Sequence, residues 1–174
     1  MINDIRARLS GSLGATQTGQ SFTNTASTAW YSTNVFDTVG SVPTSGSNPN
    51  SNGLQYRDMG EGDDLYVLFT IGTAPSGAAG SSMTCEVTMS TSETDGAGTI
   101  TVIGTGVIPY ASAIAGAQFA VRINPTLGST GARYIGVRYT NNATAWTGTG
   151  TIFADIVTDI ADSKKFYASG FKVS

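Results

Sequence analysis

Four carboxylates that lie close together in the sequence are the side chains best suited to chemistry in this 174-residue chain. They are Asp58, Glu61, Asp63 and Asp64. Two carboxylates can hydrolyse a glycosidic bond, and several can hold calcium. Neighbours in one turn cannot easily flank a sugar from opposite sides, and their order lacks the ligand pattern of an EF-hand. Because glycines alternate with these acids, we predict a structural turn, with a cation site as the open alternative.

The remaining composition offers little for catalysis. The chain has no histidine, which is the commonest general base near neutral pH and the commonest metal ligand. Its one cysteine, Cys85, excludes an internal disulfide and a thiolate cluster, and its position in an apolar alternation predicts inert packing. We therefore predict that the protein is not an enzyme and has no catalytic residue, cofactor or metal site.

The charge and hydropathy of the chain argue against nucleic acid and membrane as partners. The net charge is -3 and the estimated pI is about 4.7, so the chain lacks the basic footprint that nucleic acid requires. The longest apolar run, Leu65 to Phe69, is far shorter than the roughly 20 residues that span a bilayer. Asp4, Arg6 and Arg8 stand where an export signal would be apolar. These features predict a soluble protein with neither a nucleic acid nor a membrane as partner.

Alternating apolar and polar residues recur along the chain and predict β-strands. Met83, Cys85, Val87 and Met89 alternate with polar residues, and similar patterns follow Leu65, Thr99, Phe119, Ile135 and Ile152. Short strands at this spacing with turn residues between them favour two packed antiparallel sheets. We predict an all-β jelly-roll sandwich or barrel with extended terminal arms. An immunoglobulin-like sandwich is the alternative, although the paired cysteines typical of that family are missing.

The same alternation predicts which side chains form the core. The inward members of the runs are Leu65, Val67, Phe69, Val87, Val121, Ile135, Val137 and Ile156. Residues Ala111 to Gly116 are the one candidate for a short helical turn, and Gly104 and Gly106 indicate turns or flat strand positions.

Domain boundaries follow from where periodicity begins and ends. Residues 1–21 are polar, lack a core-facing pattern and predict an extended N-terminal arm. Residues 22–160 hold the alternating runs and predict the β domain, and residues 161–174 form a basic and aromatic C-terminal tail. Between Gly40 and Gly53 the turn-forming residues predict a long exposed loop.

Three segments carry a resemblance to a known family. Arg57-Asp58-Met59-Gly60-Glu61-Gly62 resembles a motif in one family of bacteriophage capsid cement proteins, and Arg133 to Thr140 is similar to the penultimate core strand of that family. Ser32 to Asp37 resembles its first strand, so the similarity runs in order over roughly Phe22 to Thr158. Residues 1–21 and the Gly40 to Gly53 loop are not matched.

The resemblance implies a decoration protein of a short-tailed phage. It would be made in the host cytoplasm, sit on the outer capsid surface of the virion and bridge neighbouring subunits of the major capsid protein, its expected partner. A second expected partner is the protein itself, as a dimer or trimer. The alternative function is a carbohydrate- or receptor-binding jelly-roll module of a phage particle, with Trp30, Tyr31 and Trp146 as the candidate aromatic platform.

The candidate contacts with a neighbouring subunit or the capsid lie in two segments. Arginine and tyrosine are favoured interface anchors, and an apolar and basic tail on an acidic protein suits docking to another protein surface. For the tail, folding back onto the core is an equally weighted interpretation. For Arg57, the favoured interpretation is that it fixes a tight corner of the sandwich together with Asp58, and this role is compatible with a contact. The candidates are Tyr56, Arg57, Lys164, Lys165, Phe166, Tyr167 and Phe171.

Overall fold

The computed structural model describes residues 7–13, 17–38, 65–94, 96–123 and 133–157. Within these ranges the chain forms strands joined by turns, and a short 3₁₀ turn lies at Tyr110–Ser112. None of the helical segments in the described ranges has the length and apolar character needed to cross a membrane. The strands are β1 (Arg8–Ser10), β2 (Gln20–Ser21), β3 (Ala29–Tyr31), β4 (Phe36–Asp37), β5 (Tyr66–Thr73), β6 (Ser82–Ser90), β7 (Ile100–Pro109), β8 (Gln118–Arg122), β9 (Tyr134–Asn141) and β10 (Thr151–Val157).

The strands form two antiparallel sheets of five strands each. In the first sheet the order is β1-β10-β5-β8, and β2 also pairs with β10. In the second sheet the order is β3-β9-β6-β7, and β4 also pairs with β9. Among the described strands, only β6 and β7 are both consecutive in the chain and paired with each other. The other connections cross between sheets or leave a sheet without pairing, which is the connectivity of a jelly roll, so the predicted all-β sandwich is confirmed.

The core lies between the two sheets and is built from the alternating runs. In β6, Met83, Cys85, Val87 and Met89 point inward and are buried, as the pattern predicts. Of the predicted core residues, Val67, Phe69, Val87, Val121, Ile135 and Val137 are buried, and Leu65 and Ile156 are partly buried and pack against them. Burial raises the pKa of the Cys85 thiol, with a smaller effect from the charge of Glu86.

Part of the predicted N-terminal arm belongs to the sandwich, so that prediction is wrong for the described residues 8–10 and 20–21. Leu9 on β1 is completely buried, and β1 pairs with β10. The Ser10 hydroxyl lies 2.6 Å from the Tyr139 hydroxyl of the second sheet, which links the two sheets. One buried leucine creates no sequence period, and its strand partner lies far along the chain, so the alternation could not reveal it.

A buried ion pair fixes the same strand. The Arg8 Nε donates to Asp155 Oδ1 on β10 at 2.9 Å, and both side chains are largely buried. The guanidinium also donates to the Gln17 side chain and to the Ser12 carbonyl, and it lies 5.0 Å from the centre of the Phe153 ring. A buried guanidinium needs this many partners because desolvation of a charge is costly.

The helical turn predicted for Ala111 to Gly116 occurs one residue earlier, as the 3₁₀ turn Tyr110–Ser112 between β7 and β8. The Gly40 to Gly53 loop, the acidic turn Asp58 to Asp64 and the tail 161–174 lie outside the described residues.

Candidate partner-binding edge

The outer edge of β7 differs from the other described sheet edges in length, and it lacks the charge that three of them carry. Each sheet ends in exposed strand edges, which offer unpaired backbone groups to any other strand. In the described part of the chain, the other edge strands are β1, β2, β3, β4 and β8, which have between two and five residues. Three of them carry a charge, at Arg8, Asp37 and Arg122. β7 has 10 residues and no charged side chain.

β7 is longer than the sequence indicated because it continues through Gly104 and Gly106. The prediction left these glycines open as turns or flat strand positions, and the structure shows them to be strand positions. A Cβ at Gly104 would lie 2.7 Å from the Arg122 carbonyl oxygen, and one at Gly106 would lie 2.8 Å from Val121 Cγ2. The glycines therefore allow β8 to pack closely against the inner face of β7. Among the described strands, none pairs with the edge of β7 that faces away from β6.

Exposed apolar side chains lie along this edge and just beyond it. Val102 and Val107 on β7 are 42% and 58% exposed, Tyr110 on the 3₁₀ turn is 39% exposed, and Ile114 after it is 63% exposed. No charged residue occurs between Gly96 and Val121. We call the edge of β7 that faces away from β6, together with Val102, Val107, Tyr110 and Ile114, the β7 edge.

Two ion pairs lie on the second sheet away from the β7 edge. Arg138 on β9 donates from Nε to Glu86 Oε2 on β6 at 2.6 Å. Arg133 donates from Nη2 to Asp37 Oδ2 on β4 at 2.7 Å. These hydrogen bonds raise the pKa of Arg138 and of Arg133 above the ordinary value for arginine. Each charge is matched within the sheet, so the surface changes from paired charges on β4, β6 and β9 to apolar side chains on β7.

The length and apolar character of the β7 edge suit it to binding an extended segment of protein. A free strand edge can bind an extended segment through main-chain hydrogen bonds, and exposed side chains beside it add apolar contact. Proteins usually protect such an edge with lysine, proline, a bulge or shortness. β7 ends at Pro109, and its pairing with β6 has an irregularity near Ile103, but its remaining length has no such protection. The β7 edge is therefore suited to pairing with another protein strand.

The three aromatic residues considered for carbohydrate binding do not form an exposed platform. Trp146 is buried, and its indole N–H donates to Asn141 Oδ1 at 3.2 Å. Trp30 stacks on Tyr139 with ring centres 4.1 Å apart, inside the sandwich. The turn after β6 approaches Tyr31 so closely that a Cβ at Gly96 would lie 2.8 Å from its ring. The aromatic residues of this set serve packing, because their faces are covered by other parts of the protein.

Among the described residues, no group of three or more histidine, cysteine, aspartate or glutamate side chains is arranged to hold a metal ion. The acidic turn Asp58 to Asp64, where a cation site was the open alternative, lies outside those residues.

The contacts predicted from the sequence also lie outside the described residues, so they stay predictions. They are Tyr56, Arg57, Lys164, Lys165, Phe166, Tyr167 and Phe171. The residues of the β7 edge were missed because an apolar strand with glycines gives a weak alternation. The signal that could have found them is the long stretch without charge from Gly96 to Val121.

Comparison with known proteins identifies one family. The sequence pattern of the Bbp16 family matches residues 16–156, which include all strands of the sandwich from β2 to β9 and nearly all of β10. No curated protein matches the chain. Because the match covers most of the 174 residues, the chain belongs to the Bbp16 family.

Proposed function

We propose that this protein is a structural component of a phage particle that binds the outside of an icosahedral capsid and cements neighbouring subunits of the major capsid protein. Three findings support the proposal. The sequence resembles phage cement proteins at Arg57 to Gly62 and at Arg133 to Thr140. The fold is a jelly roll with a closely packed core. Among the described strands, none pairs with the outer edge of β7, which carries no charged residue.

The β7 edge is the observation that carries the proposal. A strand of 10 residues without charge is a liability for a protein that stays alone in solution, because it invites pairing with other chains. The liability disappears when the edge is covered in the assembled state. A protein of this kind is expected to work as part of an assembly, and a cement protein does so.

Cementing follows from mass action. A protein that binds the assembled shell more tightly than it binds free capsid protein shifts the equilibrium towards the shell. Its rigid sandwich fixes the spacing between contacts on neighbouring subunits, and two linked contacts act with a high effective concentration. The function therefore requires surfaces that bind protein and does not require a reaction, which agrees with the absence of histidine from the chain.

The experiment that tests the proposal compares two forms of the same partner. Purified protein is mixed with empty shells assembled from the major capsid protein of the phage that encodes it, or with the unassembled capsid protein, and binding is measured by co-sedimentation and gel filtration. We expect saturable binding to the shells, weaker binding to the free subunits and a higher temperature of shell rupture. A globular protein of the same net charge serves as the control. Equal binding to both forms, or no binding to shells, would contradict the proposal.

A further inference from the structure

We propose that the C-terminal tail, residues 161–174, folds back over the outer face of the first sheet and covers Leu68 and Val157. The sequence alone leaves docking to another protein and folding back as equal interpretations of this tail. The outer face of the first sheet favours folding back. The contact lies within one protomer, so it can be measured without any capsid and does not depend on the proposed function.

The alternation of side chains identifies the outer face of the first sheet. Val67 and Phe69 on β5 belong to the core between the sheets, so Leu68 points to the opposite side. On β10, Ile156 packs against the core, so Val157 points outward as well. Both outward residues therefore lie on the face that is directed away from the second sheet.

These two outward residues are buried although they lie outside the core. Leu68 and Val157 are each only 5% exposed, and neither belongs to the hydrophobic cluster between the sheets. The neighbours of Leu68 across the sheet are Asp155 and Ala120, and Ala120 is small and itself exposed. The outer face of an antiparallel sheet is normally solvated, and such neighbours leave a leucine accessible to water. We infer that a further layer of the chain lies over Leu68 and Val157.

The turn between β1 and β2 covers the part of this face around Phe153. The Arg8 guanidinium lies 5.0 Å from the centre of the Phe153 ring. A Cβ at Gly11 would lie 2.9 Å from Cδ1 of the same ring. Phe153 lies near the start of β10, whereas Val157 ends that strand and Leu68 lies on the neighbouring β5. A second cover is therefore needed for Leu68 and Val157.

The C-terminal tail has the position, the length and the composition to supply this cover. It follows shortly after β10 in the chain. Its 14 residues would extend over about 46 Å, whereas β5, with eight residues, is about 26 Å long. Asp162 near its start favours a turn, which a chain reversal requires. Phe166, Tyr167 and Phe171 supply aromatic surface, and its removal from water stabilises a contact with apolar side chains.

The segment 39–64 is the other long segment next to the first sheet, because it leads into β5. Its part from Gly40 to Gly53 is rich in serine, asparagine and proline and offers little apolar surface. Its later part carries the acidic turn Asp58 to Asp64, and desolvation of carboxylates against an apolar residue such as Leu68 is costly. The aromatic tail is therefore the better cover for this face.

Thiol reactivity at position 68 gives the first test. Leu68→Cys places a thiol under the proposed cover, and its reaction with dithionitrobenzoate is followed by absorbance. Cys85 is buried, and the wild-type protein measures its background reaction. Ala120→Cys is the matched control, because Ala120 pairs with Leu68 in register but is exposed. We expect Leu68→Cys to react about 100-fold more slowly than Ala120→Cys, because access limits the reaction of a thiol.

The tail is then changed within the full-length chain. The aromatic variant combines Phe166→Ser, Tyr167→Ser and Phe171→Ser, which removes the apolar surface of the tail and keeps its length. We expect this variant to raise the reactivity of Leu68→Cys about tenfold and to leave that of Ala120→Cys unchanged.

A second tail variant is the control for the number of substitutions. It replaces the three tail lysines, Lys164, Lys165 and Lys172, by serine and keeps every aromatic residue. Long charged side chains keep their ammonium groups in water, so we expect Leu68→Cys to stay protected in this lysine variant.

Thermal unfolding gives a second test that does not need an introduced cysteine. Leu68→Ala and the aromatic variant should each lower the melting temperature. Their combination should lower it by less than the sum of the two shifts, because both changes remove the same contact. Val107→Ala on the second sheet, where Val107 is 58% exposed, is the control, and its shift should add to that of the aromatic variant.

The outcomes separate the tail from other covers. Protection of Leu68→Cys that is lost in the aromatic variant and kept in the lysine variant supports the tail contact. Reactivity equal to that of Ala120→Cys would show an open face and overturn it. Protection that survives in the aromatic variant would show a different cover and overturn it too. If Leu68→Cys does not fold, the melting temperatures decide, and additive shifts of Leu68→Ala and the aromatic variant overturn the contact.

Discussion

Leu9→Ala tests whether the first strand is an integral part of the sandwich. Leu9 is completely buried between the sheets, and truncation removes buried methyl groups and leaves a cavity. Substitutions of this kind typically cost about 2–5 kcal/mol. We expect a loss of about 3 kcal/mol, which is a large fraction of the roughly 5–15 kcal/mol of a typical domain. For a chain of this size, such a loss corresponds to a melting temperature lower by about 6–12 °C.

The chain supplies a matched control for this measurement. Leu13 follows the same strand but is 49% exposed, so Leu13→Ala makes the same chemical change without a core cavity. We expect a change within about 0.5 kcal/mol for this variant. Urea unfolding followed by tryptophan fluorescence measures both. Equal stability of the Leu9→Ala protein and the wild type would refute the placement of β1 in the core.

Three further predictions concern buried charge, close packing and the thiol. Asp155→Ala should lower the free energy of unfolding in urea by about 3–5 kcal/mol, because it leaves the buried Arg8 guanidinium without its ion-pair partner. Glu86→Ala breaks a more exposed pair and should cost about 1 kcal/mol or less. Equal losses would contradict the difference in burial. Gly104→Ala should destabilise the protein more than Gly106→Ala. The Cβ at position 104 would meet the Arg122 carbonyl oxygen of the backbone, whereas the Cβ at position 106 would meet a Val121 methyl group, which can move. The reverse order of melting temperatures would argue against the described contact of β7 with β8. Burial raises the pKa of Cys85, so the folded state retains a proton that the unfolded chain releases at high pH. The thiol therefore costs no stability below the unfolded pKa of about 8.5. Above that pH the free energy of unfolding should decline by up to about 1.4 kcal/mol per pH unit. Cys85→Ala should lose stability less steeply than the wild type between about pH 8.5 and pH 10.5, and parallel profiles would show that the thiol is not buried as described.

The central strands could be predicted from the sequence because they are buried on one regular face. β6 and β9 alternate inward apolar residues with outward polar residues over eight or more positions, and this period identifies both the strand and its core side. Val67 and Phe69 on β5 follow the same rule. The prediction of a sandwich rested on these elements, and the structure confirms it.

The edges of the sandwich were harder to predict for two physical reasons. β1 contributes only Leu9 to the core and is fixed by Arg8, whose partner Asp155 lies 147 residues away, so no local pattern marks it. β7 contains glycines, which local rules assign to turns as readily as to strands. These positions require glycine because β8 of the other sheet packs closely against them, and that contact is not visible in the local sequence. Contacts between residues far apart in the chain decide both cases.

The candidate contacts predicted from the sequence stay predictions. The composition favours protein surfaces as partners, and the residues selected, such as Arg57 and Lys164, lie outside the described parts of the chain. The β7 edge depends on which strand ends the sheet, and that information arises only when the strand order is known. The absence of charge in the sequence becomes meaningful once β7 is seen to be an edge.

Cryo-electron microscopy of shells saturated with this protein tests the proposed cementing function most directly. The proposal predicts jelly-roll density on the outer surface of the shell, in contact with at least two neighbouring capsid subunits, at every equivalent position. Shells incubated without the protein give the reference map. A map that lacks this density under saturating conditions, or that shows each copy bound to a single capsid subunit, would contradict the proposed function.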